Sequence, residues 1–148
     1  MSRLIPHPLN MGVWATGILQ LIVCITALSR GLDYITPSDR NIRSLGVVEA
    51  AAPLSVWGGL LILGVLTVGF ALILDRTGFV ALGHLVIAAI YAAIGIGQLS
   101  VTIPTQGFDG FRTGVGLFVA GGGVHLVLAS VAYVLMRDRR VDRAARAS

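Results

Sequence analysis

Lysine is absent from this chain of 148 residues, and all 11 of its basic side chains are arginines. That bias reads as codon usage in a GC-rich genome. Charge as a whole is scarce, 12% of residues against 55% hydrophobic. A water-soluble domain carries about 25% charged residues, so this chain lacks the polar surface to cover a soluble globule. A mean hydropathy of +0.87 points the same way, with most of the surface facing lipid. The single cysteine, Cys24, excludes an intrachain disulfide and a CxxC redox pair. A nucleophile–base pair, a Gly-rich phosphate loop with lysine and a paired-carboxylate site are all missing, so neither an enzyme nor a cofactor is expected. The net charge of +4 would suit nucleic acid. The arginines, however, flank apolar runs, where they act as topology signals and contacts to anionic lipid, and no nucleic-acid partner is expected.

What the sequence does contain is four apolar runs, at 12–29, 54–74, 79–101 and 113–136. A helix needs roughly 20 such residues to cross the ~30 Å hydrocarbon core. The last run has no Asp, Glu, Lys or Arg and leads into Arg137, Arg139, Arg140, Arg143 and Arg146, a lipid-facing basic tail over 137–148. The four residues 75–78 make a tight hairpin, so the second and third spans are antiparallel neighbours. The expected fold is an all-α integral membrane protein, a four-helix transmembrane bundle forming one membrane domain over 1–148. The first run carries one upstream arginine and exceeds a signal peptide's apolar core, so it is expected to stay as a span. Leu21-Ile22-Val23-Cys24 fails as a lipoprotein box, because valine stands where a small residue is needed.

The loop at 30–53 is the one substantial polar connection. Within it Thr36-Pro37-Ser38-Asp39 has the composition of a helix start, and Ile42, Leu45, Val48 and Ala52 recur at helical spacing. A short interfacial helix ending at Pro53 is expected. Seven arginines fall on the side shared by the N-terminus, the 75–78 turn and the tail, against four on the other. The positive-inside rule then puts both termini in the cytoplasm, in a multi-pass protein of the cytoplasmic (inner) membrane.

Candidate intramembrane polar positions are Thr16, Gln20, Thr67, His84 and His125. Thr16, Gln20 and Cys24 share a stripe with Gly12. None of the seven acids lies inside a span, which counts against an ion-coupled pump. His125 is placed near mid-span and His84 in the cytoplasmic third of its own. A neutral imidazole bonded to Thr16, Gln20 or a backbone carbonyl is expected for each, with proton relay, pH gate or metal ligand as the functional alternatives. No metal site is expected, since His84, His125 and Cys24 come from three spans with no ligand spacing. His84-Leu85-Val86 and His125-Leu126-Val127, each followed by a tyrosine (Tyr91, Tyr133), hint at an inverted repeat of the kind transporters use. Packing seams are expected at Ala89–Ala93–Gly97, Gly116–Ala120 and Gly121–His125–Ala129, because small residues four apart let helices approach. Trp14 and Trp57 fit an interfacial aromatic belt. Arg40, Arg43 and Glu49 are a candidate outer-loop surface for a membrane or cytoplasmic protein partner.

The layout of four short spans, all-arginine charge and a basic C-terminus resembles the small four-span, holin-like membrane proteins of actinobacterial phages. The stretch Ser44-Leu45-Gly46-Val47-Val48-Glu49-Ala50-Ala51-Ala52-Pro53-Leu54, then Trp57-Gly58, shares in that resemblance as a loop-to-span signature. The resemblance implies self-association in the cytoplasmic membrane and permeabilisation or depolarisation, and it assigns no residue a role. Two other classes stay open: a non-pore regulatory or exclusion protein acting through a partner, and a small-solute channel or transporter.

Overall fold

The computed structural model describes residues 13–36, 45–105 and 111–147. Its elements are α1 (Val13–Ile35), α2 (Gly46–Ala51), α3 (Leu54–Ile73), α4 (Thr77–Thr105), α5 (Phe111–Gly116), a π-helical segment (Leu117–Gly123) and α6 (Val124–Ala147). No strand occurs among the described residues. Four helical stretches are long and apolar enough to cross a membrane: 15–35, 54–73, 77–101 and 114–146. This is the architecture of a multi-pass membrane protein.

The helix ends differ from the expected spans for local reasons. The first run was expected to stop at residue 29, but α1 continues to Ile35. Nothing from Arg30 to Ile35 breaks a helix; Pro37 is the first residue that does. Thr36, expected to start the next helix, closes this one instead. Its backbone N–H donates to the Leu32 carbonyl at 3.1 Å, and its hydroxyl donates to the same oxygen at 2.8 Å. The proposed start of the loop helix at Pro37–Asp39 lies outside the described residues, as do Arg40 and Arg43. What is described of that helix is α2, which ends ahead of Pro53, the N-cap of α3. The basic segment is helical: Arg137 to Arg146 occupy the last turns of α6.

α4 is the centre of the bundle. Half of its apolar window is buried, against 11% for α1. α3 and α6 both pack along it, and α2 rests on it through Val48, which sits over Gly97. α1 is carried by α3 and touches α6 only slightly. Three of these crossings bring a glycine of one helix onto the backbone of another: Gly31 with Gly58, Gly64 with Gly83, and Gly95 with Gly114. In lipid, where apolar surface gains nothing by leaving water, such close backbone contact is what holds helices together.

The expected seams are partly displaced by this arrangement. Gly97 is buried, but Ala89 and Ala93 face outward, and so do Gly116 and Ala120. The stripe with His125 and Ala129 is buried as expected. α4 turns its Gly83, Ile87, Ile90, Tyr91 and Ile94 side inward, and the alanine ridge lies off that side.

The start of α1, the 74–76 turn and the end of α6 share one end of the bundle. Asp75 in that turn pairs with Arg139 at 2.9 Å, and Gly78 lies beside the Met136 sulfur. Among the described residues this end carries Arg76 and the five arginines of α6, together with Asp75, Asp138 and Asp142.

Candidate functional site: a histidine pair inside the bundle

His84 on α4 and His125 at the start of α6 meet in the interior, Nδ1 to Nδ1 at 2.8 Å. Their relative exposures are 0% and 1%, so the contact is shielded from lipid and water alike. The rings are tilted 43° with centroids 5.0 Å apart. Tyr91, two turns along α4 from His84, stacks on His125 with centroids 6.0 Å apart and an interplanar angle of 24°. Room for the Tyr91 ring comes from Gly121 in the π-helical segment, where a Cβ would stand 2.7 Å from the ring. The wide π turn and the run Gly121-Gly122-Gly123 thus lie directly before His125, setting both its approach and that of the tyrosine beneath it.

The bonding fixes a consistent proton arrangement. Of the two Nδ1 atoms one donates and the other accepts. With the shared proton on the Nδ1 of His84, its Nε2 is left as a bare lone pair. That atom is buried with no partner among the described residues. This tautomer assignment follows from the hydrogen-bond network. It also leaves unsatisfied an acceptor rather than a donor.

The expectation that each histidine would bond to Thr16, Gln20 or a carbonyl is thus replaced by an imidazole–imidazole bond. The expected difference in depth between the two histidines disappears as well. α6 continues past Met136, so distance from the first tail arginine does not measure depth in this bundle.

A furrow of about 410 Å³ opens beside the pair, between α1 and the π segment with α6. It is lined by Val23, Thr26, Tyr91, Leu117 and His125, with Arg30 toward the far end of α1. The Arg30 guanidinium lies 5.9 Å from the ring centre of Tyr34, whose buried hydroxyl has no hydrogen-bond partner among the described residues.

The other positions singled out from the sequence stay apart from the pair. Gln20 and Cys24 line a second groove, between α1 and α3, and Thr16 is half-buried on the same helix. Thr67 is satisfied within α3 by the Leu63 carbonyl at 2.8 Å. Glu49 is exposed on α2, and Arg137, Arg139, Arg140, Arg143 and Arg146 are exposed on α6. Trp57 is half-buried, and its indole N–H is shared between the Val48 and Ala52 carbonyls, at 3.2 and 3.1 Å, so it ties α2 to α3. The side chain of Trp14 lies outside the described residues. Among the described residues, no three His, Cys, Asp or Glu side chains converge as metal ligands.

Sequence reasoning missed the stacking of Tyr91 on His125 and the place of Arg30 along the furrow. The repeated His-Leu-Val was the one available signal for the pairing, since it marks matching turns on two neighbouring spans. No protein family, curated protein or solved structure matches this chain.

Proposed function

We propose that this chain is a holin-like protein of the cytoplasmic membrane that self-associates laterally and permeabilises or depolarises the bilayer, with both termini in the cytoplasm. The observation that carries this reading is the furrow between α1 and α6. It places Arg30 on a side-facing opening within the apolar length of the bundle, beside Thr26, whose hydroxyl donates to the Ile22 carbonyl at 2.9 Å, with the buried His125 in its wall. Polar groups facing hydrocarbon cost several kcal/mol unless another chain or water meets them. A second copy set against this furrow would meet them, and the outward-facing Ala89, Ala93, Gly116 and Ala120 give small-residue surface for close helix approach. The arginine excess at the end formed by the 74–76 turn and α6 supports the orientation and a hold on anionic lipid.

Membrane potential and viability, followed after induction in a bacterial host, test the reading. The expected result is abrupt depolarisation at a threshold level of inserted protein, with altered timing in a chain ending at Arg137. An intact potential at high, correctly inserted expression would sink it. A small-solute channel or transporter is the second reading, favoured by the histidine pair. It expects His125→Leu to abolish flux in a protein that still inserts. The third class, a regulatory protein working through Arg40, Arg43 and Glu49, draws no support from α2, where Glu49 is simply exposed.

A further inference from the structure

We propose that His84 and His125 form a single proton-binding site, and that uptake of one proton opens the furrow between α1 and α6. The geometry supplies the first half. Two imidazoles joined Nδ1 to Nδ1 at 2.8 Å hold one proton between them. A second proton sits on the Nε2 of His125, whose Nδ1 is the acceptor. One lone pair is left, on His84 Nε2, and it is buried and unpartnered. An added proton lands there. No covalent bond between heavy atoms changes, and the product is one imidazolium shared by two rings.

The surroundings supply the second half. α3 carries no ionisable residue, and His84 and Tyr91 are the only titratable side chains of α4. From α1 the site faces Thr26, Val23 and, farther along the furrow, Arg30, a cation that cannot serve as counter-ion. Tyr34 stands beside Arg30, and Cys24 faces the α1–α3 groove instead. The segment 114–136 contributes His125 and the exposed Tyr133. Glu49 of α2 points outward, and the other carboxylates among the described residues, Asp33, Asp75, Asp138 and Asp142, are exposed too.

Among the described residues the charged pair therefore has no anion to meet it, and its new N–H has no acceptor. Such a charge stays inside an apolar bundle only if water reaches it. The furrow is the adjoining cavity, and its α1 wall is the least held of the four long helices. Water entering there meets His125 first. Proton uptake thus favours the state with α1 moved away from α6.

The test uses the full chain in nanodiscs, with His7→Ala removing the third histidine. Nitrogen-15 histidine spectra are followed from neutral to acid pH. Spin labels on Ile25→Cys and Val127→Cys, in a Cys24→Ala background, report the α1–α6 distance. The expected result is that both rings shift together as one proton is bound, while the label distance widens by several ångströms. In His84→Gln the His125 signals no longer move with a partner, and the widening is lost. Two independent single-proton titrations would overturn the shared site. A constant label distance through the transition would overturn the opening. The spectra of the unsubstituted pair decide the first point even if a variant folds poorly. No readout here involves permeability, so the proposal stands or falls apart from the lesion-forming reading.

Discussion

Gly31 and Gly58 cross backbone to backbone: a Cβ built on Gly58 would stand 2.6 Å from the Gly31 carbonyl oxygen. This contact lies within the packing of α1 along α3, its main neighbour. Gly58→Ala should cost about 1–3 kcal/mol, as overpacking does when the obstacle is backbone that cannot step aside. Gly59→Ala is the control. Its Cβ would meet nothing within 4 Å, and alanine should gain up to about 1 kcal/mol of helix propensity there. Thermal unfolding in detergent should order the proteins Gly59→Ala, parent, Gly58→Ala from most to least stable. Equal melting of the two variants would show that the crossing is looser than described.

Trp57 gives a second expectation. α2 has six residues, too few to be stable as an isolated helix. It is held by Val48 on Gly97 and by the Trp57 indole on the Val48 and Ala52 carbonyls. Trp57→Phe keeps an aromatic body and removes the N–H, which should cost about 0.5–1.5 kcal/mol. Amide exchange in Gly46–Ala52 should then quicken by up to roughly tenfold while the centre of α4 is unaffected. Unchanged exchange in α2 would leave Trp57 the interfacial role its sequence position suggests.

The turn between α3 and α4 separates a backbone effect from a charge effect at one residue. Asp75 has φ 50°, left-handed backbone, and the N–H of Arg76 bonds the Ala71 carbonyl at 2.8 Å, closing the end of α3. Its ion pair with Arg139 is exposed, with side chains 48% and 80% accessible for Arg139 and Asp75. Such pairs contribute at most about 1 kcal/mol. Asp75→Asn tolerates the same backbone and should shift stability by less than about 1 kcal/mol, with the difference shrinking in salt. Asp75→Ala should lie about 1–2 kcal/mol below Asp75→Gly, since both lose the carboxylate and only alanine resists the conformation. Chemical or thermal unfolding of the three variants at two salt concentrations checks the order.

These cases also show where sequence reading succeeds and where it stops. The four spans and the tight 75–78 turn were legible because hydropathy over about 20 residues outweighs local detail. Helix ends were less so. Arg30 and Asp33 look like the edge of a span, yet helix continuity depends on where proline falls, and the apolar run, ending at residue 29, stopped well short of Thr36, which closes α1. Seams were read from four-residue spacing, which Ala89 and Ala93 satisfy and which Gly64 and Gly83, on two different helices, do not reveal. Spacing cannot say which side of α4 faces its neighbours, and it is Gly83 that meets the backbone of α3. The histidine pair was hidden by a depth argument. Counting inward from Arg137 assumes the arginines mark the end of the helix, whereas α6 carries them onward as far as Arg146.

Gly121 offers the last expectation, and it bears on the pair itself. A methyl group there would press on Tyr91 at 2.7 to 3.0 Å from three ring atoms. The ring is enclosed, with 2% of its surface exposed, so it has little space to retreat into. Gly121→Ala should drive Tyr91 off the face of His125 or straighten the π turn that carries residue 121. Either outcome changes the ring-current environment of His125 and costs about 1–3 kcal/mol. Gly123→Ala, whose Cβ would find one carbonyl oxygen at 3.9 Å, removes a glycine from the same triplet without crowding anything. It should be neutral or stabilising by up to about 1 kcal/mol if glycine content alone were the issue. A histidine spectrum perturbed by Gly121→Ala and left intact by Gly123→Ala would tie the triplet to the seating of Tyr91 beneath His125. The reverse pattern would mean that flexibility of the π segment matters more than the space Gly121 leaves.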